Sequence, residues 1–124
     1  MSNLKYKIFF LFSLVHFFAS STSQDEQLKY LEIEHEYKNA DNELNSLYKA
    51  QISTYKKEGV EIYGQDKSRD FYLKKSQQVW IKMRDADCDY ETYESRLGTG
   101  FSSIYIKCLL DKTKDRIKYL KENN

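Results

Sequence analysis

Cys88 and Cys108 are the only cysteines of this 124-residue chain, and they frame its most informative stretch. Gly98-Thr-Gly lies between them, and an acidic run, Asp85-Ala-Asp-Cys-Asp-Tyr-Glu, surrounds the first. A nucleophilic Cys88 would need a base and a depressed pKa. Asp85, Asp87 and Asp89 surround it and disfavour a thiolate. The same three acids mimic the first half of a calcium loop, but the sixth position is Tyr90 rather than glycine and the twelfth is Arg96 rather than an acid. His35 sits among Glu32, Glu34 and Glu36 and reads as a solvated surface residue. Neither a Ser-His-Asp nor a Cys-His pairing emerges from spacing, and no two carboxylates are marked as an acid and a base. These residues point away from an enzyme and name no catalytic residue, metal or cofactor.

The simplest chemistry left for two cysteines in an exported chain is one bridge. Two free thiols, or a two-ligand metal site, are the alternatives. A bridge across about 20 residues would stabilise the fold by roughly 3 kcal/mol. Export itself is read from the N-terminus. Lys5 and Lys7 precede an apolar run from Ile8 to Ala19, and small residues follow, offering cleavage after Ser21 or Ser23. The run is shorter than the roughly 20 residues that span a bilayer. Residues 1–23 are therefore expected to be a signal peptide, leaving no stable membrane anchor after cleavage, and the mature chain is expected in the periplasm or outside the cell.

The elements that must position the cysteines follow from the breakers. The chain has no proline and four glycines, Gly59, Gly64, Gly98 and Gly100, in two clusters. Two breaks predict three long helices, over about 25–57, 68–96 and 102–121. The first stripe reads Leu28, Leu31, Leu44, Leu47, Tyr48, Ile52 and Tyr55, with a polar middle at 32–42 that projects into solvent or bends. The second reads Tyr72, Val79, Trp80, Met83, Ala86, Asp87 and Tyr90, with Ser68 as N-cap. The third reads Ile106, Leu109, Leu110, Thr113, Ile117 and Leu120. The short Gly98 loop makes the second and third helices antiparallel, so Cys88 and Cys108 stand at similar heights on neighbouring rods. The fold expected is all-α: a small antiparallel bundle of three long helices, with a disulfide joining the second and third.

Charge narrows the partner. Setting Lys5 and Lys7 aside from the 20 basic residues, against 19 acidic ones, puts the remainder near −1. That argues against a nucleic-acid partner, which needs a basic excess. Asp85, Asp89, Glu91 and Glu94, set against Arg84 and Arg96, read as a solvated face that can also steer a cationic partner. A tethered loop suits a protein partner. Gly98, Thr99, Gly100, Phe101, Ser102 and Ser103 are the candidate contact residues, with Tyr93 and Tyr105 flanking them.

Three ordered segments resemble a known family. They are Ala40-Asp-Asn-Glu-Leu-Asn-Ser-Leu-Tyr, Gln77-Gln-Val-Trp-Ile-Lys-Met-Arg-Asp-Ala-Asp-Cys, and the stretch from Cys108 to Leu120 with Thr113 and Arg116. The family is the LprI-like group, named for the lysozyme inhibitor LprI. The resemblance implies an exported bacterial helical domain over 24–124, with Cys88 bridged to Cys108. Asp41, Leu44, Asn45, Tyr48, Gln77, Trp80, Arg84, Asp85, Thr113 and Arg116 match the pattern and are read as scaffold. Trp80 is expected in the core, Arg84 and Asp85 in a polar network with Asp41 or Arg116, and Asn45 and Gln77 on each other or on helix ends. Many relatives carry a second cysteine pair near 30–37, absent here. The function the resemblance implies is inhibition of a lysozyme by loop insertion or surface binding. The alternative is a periplasmic interaction module, such as an immunity or envelope assembly protein.

Overall fold

The computed structural model describes residues 15–60 and 64–124, with side chains from Ser23 onward. The export signal expected over 1–23 lies outside the described residues up to 14, and only backbone is described over 15–22. Three helices follow one another: α1 at Val15–Glu58, α2 at Arg69–Glu91 and α3 at Phe101–Glu122, with a short 3-10 turn at Tyr93–Ser95 between the last two. There is no strand among the described residues. None of the described helices is long and apolar enough to cross a membrane.

Gly59 ends α1. Its φ is 67°, a left-handed conformation that side chains disfavour, and its N–H bonds to the Tyr55 carbonyl at 3.1 Å. Thr92 ends α2: its N–H and its hydroxyl both donate to the Cys88 carbonyl, at 3.1 and 2.7 Å. Ser68 does stand at the N-cap of α2, yet its hydroxyl makes no capping bond and donates instead to the Asp70 carboxylate.

Direction is fixed by contacts between helices. Lys114 pairs with Glu36 at 3.4 Å and Lys121 with Glu43 at 2.9 Å, so α1 and α3 run parallel. The Cys88–Cys108 disulfide, with Cα atoms 5.8 Å apart, and the Gln77–Arg116 hydrogen bond show that α2 and α3 run antiparallel. The core joins Ala40 and Leu44 of α1 to Leu110, Ile117 and Leu120 of α3, with Ile33, Tyr37, Leu47, Leu73 and Trp80 packed against it.

Two of the expected stripes need correction. On α1, the inward line is Glu26, Tyr30, Ile33, Tyr37, Ala40, Leu44, Leu47, Gln51 and Tyr55, all buried or half-buried. Its spacings alternate between four and three from Glu26 to Gln51, the heptad repeat of a long helix–helix seam, and close with a second four to Tyr55. Leu28 and Leu31 lie off this line and are exposed. The stretch 32–42 is continuous helix and does not project away from the bundle; Ile33, Tyr37 and Ala40 carry it along the core. On α2 the inward residues are Leu73, Gln77, Trp80, Arg84 and Cys88, while Tyr72, Val79, Ala86, Met83 and Tyr90 are exposed. Cys88 is wholly buried, and its tie to α3 fixes the rotation of α2. The α3 stripe stands as expected, with Leu109 half-buried and the other five buried.

Candidate functional site

The disulfide and the turn after α2 hold the Gly98 loop at one end of the bundle. Ser95 N–H bonds to the Thr92 carbonyl at 3.0 Å, and Gly98 N–H to the Ser95 carbonyl at 2.9 Å, so the chain descends through linked turns. At the tip Leu97 is wholly exposed, 101% of a free residue, and Tyr93 is 73% exposed. Gly98, Thr99 and Ser102 are exposed as well, whereas Gly100, Phe101 and Tyr105 are half-buried. Phe101 and Tyr105 pack their rings 5.7 Å apart. Ser103 faces inward and is buried, so it is part of the packing beneath the loop. Sequence reasoning left Leu97 out and placed Arg96 only in the charged face. The available signal was an apolar residue inside Arg-Leu-Gly-Thr-Gly, off every helical stripe.

The start of α1 shapes the other side of this end. A Cβ on Gly100 would stand 3.3 Å from Glu26 Oε2, so a side chain there would crowd the carboxylate. That oxygen is buried and has no hydrogen-bond partner. Glu26, Gln27 and Tyr30 line a cleft of about 520 Å³ with Ser23, Thr99, Ser102 and Ser103.

The acidic run is largely matched by cations. Lys112 of α3 holds Asp87 at 3.5 Å and Glu91 at 2.7 Å. These partners raise the Lys112 pKa, the Glu91 hydrogen bond most strongly. Arg96 reaches Asp89 at 3.4 Å, and Arg84 holds Asp85 at 2.9 Å. Among the described residues no group of three or more acids, histidines or cysteines is placed to hold a metal ion.

Behind the loop end lies a polar stack that braces the helices. The Arg84 and Arg116 guanidinium carbons stand 5.2 and 5.5 Å from the Trp80 ring centre, and Arg84 also faces Tyr37 at 6.0 Å. Arg116 donates to Gln77 Oε1 at 3.0 Å and to the Ser76 hydroxyl at 2.9 Å. Burial pushes the Arg116 pKa down and the Tyr37 pKa up. The polar network therefore differs in detail from the sequence expectation. Arg84 pairs with its neighbour Asp85, Asp41 accepts from Asn45 at 3.3 Å, and Gln77 serves Arg116. Trp80 is half-buried at the rim of the core rather than filling it, and Tyr48 is half-buried too. Leu44 and Thr113 are wholly inside. Tyr105 lies near this stack, and burial raises its pKa.

The molecule is thus a small disulfide-stapled helical scaffold with an exposed loop end. The family profile described as lysozyme inhibitor LprI matches residues 19–120, and the chain belongs to that family. It is 31% identical over 90 residues to an uncharacterized protein of Rhizobium meliloti (strain 1021), covering 70% of this chain and 65% of that one. The match therefore spans just under two thirds of that relative's length. A crystal structure of a DUF1311 family protein from Pseudomonas putida KT2440 has the same fold, with a TM-score of 0.63 at 22% identity, covering 77% of this chain and 90% of that one.

Proposed function

We propose that this protein is exported and binds a lysozyme, blocking it with the loop end of the bundle. The family described as lysozyme inhibitor LprI supports the partner class. The observation that carries the surface is Leu97, wholly exposed at the tip of a hairpin whose two helices are cross-linked. An apolar side chain held out on a braced tip is already ordered for insertion, which lowers the cost of using it as an anchor in a cleft. Tyr93 and Arg96 stand beside it, residue types that carry much of the energy in protein interfaces. Thr99 and Ser102 are exposed donors within the same loop. Lysozyme clefts carry two carboxylates, which hydroxyl and backbone N–H donors can meet. Because the acidic run is mostly paired with Lys112, Arg84 and Arg96, binding rests on fit at the tip more than on long-range attraction.

The test is cell-wall lysis by an animal-type lysozyme with increasing amounts of the mature chain. Inhibition that Leu97→Asp and Tyr93→Ala abolish, at unchanged helicity, supports the reading. Absence of inhibition at micromolar excess overturns it.

A further inference from the structure

The outer face of α2 carries a stripe that the bundle leaves uncovered. Tyr72, Val79, Met83 and Tyr90 are 49%, 58%, 53% and 83% exposed, and Ala86 lies between them. The spacings are seven, four, three and four, so these side chains align along one line of a helix. That is the pattern of a helix–helix seam, and no element among the described residues covers it. Isolated exposed apolar residues are ordinary; an aligned series spanning most of a 23-residue helix is not.

Charge along α2 indicates what covers it. Lys74, Lys75 and Lys82 stand in its first two thirds, and Asp85, Asp87, Asp89 and Glu91 in its last third. Apart from Asp70 in the first turn, this order opposes the helix dipole, which favours acids at the start and bases at the end. Asp87 and Glu91 are held by Lys112 and Asp85 by Arg84. The Arg96 contact to Asp89 is long, at 3.4 Å, and exposed, so Asp89 is the acid free to exchange its partner. Lys74, Lys75 and Lys82 have no ion-pair partner among the described residues. A helix basic at one end and acidic at the other is complementary to itself when turned end for end.

We infer that two copies of this chain pair through α2, antiparallel about a two-fold axis. With Tyr72 facing Tyr90 of the second copy, Val79 meets Met83 and the stripe closes on itself. Lys75 and Asp89 lie along the same edge of the stripe, so each Lys75 meets the other copy's Asp89. Two-fold symmetry makes that contact twice. Lys82 meets its own counterpart near the axis, and its long chain can turn toward Asp85. A stable specific pair needs on the order of 1,200 Å² of total buried surface. A stripe about 27 Å long from Tyr72 to Tyr90, with two tyrosines, a valine and a methionine from each copy, is of that scale. The loop end with Leu97 stays open in this pair, so pairing and partner binding are separate properties.

Sedimentation equilibrium of the mature chain tests this. The expected result is a mass of two chains that dissociates on dilution. Met83→Lys should give a single-chain mass with circular dichroism unchanged. Lys75→Asp and Asp89→Lys should each raise the dissociation constant about tenfold, and the double exchange should restore it. A single-chain mass at all concentrations overturns the inference. So does a two-chain mass indifferent to Met83→Lys, or charge reversals that the double exchange fails to rescue. A single-chain protein that still inhibits lysozyme would overturn the pairing and leave the proposed function standing.

Discussion

Arg116 of α3 donates to the Gln77 side-chain carbonyl of α2 at 3.0 Å, inside the bundle. Neither residue is apolar, yet both are buried because each satisfies the other. The guanidinium also lies against Trp80 and, at 4.9 Å, Tyr119. Removing it strands Gln77 and empties the stack. Arg116→Ala should lower the unfolding free energy by about 3 kcal/mol. Arg116→Lys should recover little, since an ammonium lacks the planar fork that reaches Gln77 and Ser76 together. Urea denaturation of the two variants measures both effects.

Thr113 gives the opposite result. Its side chain is wholly buried and its hydroxyl has no hydrogen-bond partner. A buried hydroxyl without a partner costs free energy that a methyl group of the same shape does not. Thr113→Val should therefore stabilise the fold by about 1 kcal/mol, read as a higher urea midpoint. A drop in the midpoint would mean that the hydroxyl is satisfied in solution.

The cross-link closes a loop with a sequence separation of 20. Replacing both Cys88 and Cys108 by serine should cost about 3 kcal/mol by the loop-closure argument. The helices should survive, because the α1–α3 seam does not depend on the bridge. Far-ultraviolet circular dichroism and a denaturant titration separate the two expectations. Loss of helicity before denaturant would show that the bridge holds more than the loop end.

Tyr37 gives the fold an alkaline limit. Burial raises its pKa above the ordinary value of about 10, even though Arg84 pulls it down. The unfolded chain therefore loses this proton at a lower pH than the native one. The stability from neutral Tyr37 is fully present below pH ~10 and is lost as pH rises through the native-state pKa. Unfolding free energy should decline over that alkaline range, and Tyr37→Phe should flatten part of the decline. Paired denaturation curves at neutral and alkaline pH check the sign.

The parts legible in the sequence were those written in apolar spacing and in cysteine count. Ile106, Leu110, Ile117 and Leu120 all turn inward, and the Cys88–Cys108 bridge stands where helix heights place it. Where the inward line runs through polar residues, spacing of apolar residues misled. On α1 that line passes through Glu26, Tyr30 and Gln51, the last donating to the Leu120 carbonyl at 2.9 Å at the end of α3. On α2 it passes through Gln77 and Arg84, so an apolar reading selects Tyr72, Val79, Met83 and Tyr90 instead. Polar groups enter the interior when a partner waits there, and a single sequence does not show partners. The loop was legible as a loop, but the outward turn of Leu97 was not, because no periodicity governs it.

The meeting of Glu26 with Gly100 ties the hairpin to a helix distant in sequence. The tip is thus templated from both sides, by the sulfur bridge below it and by the opening turns of α1 beside it. A chain trimmed past Glu26 would keep its bridge and its seams but lose one wall of the mould in which the tip is cast.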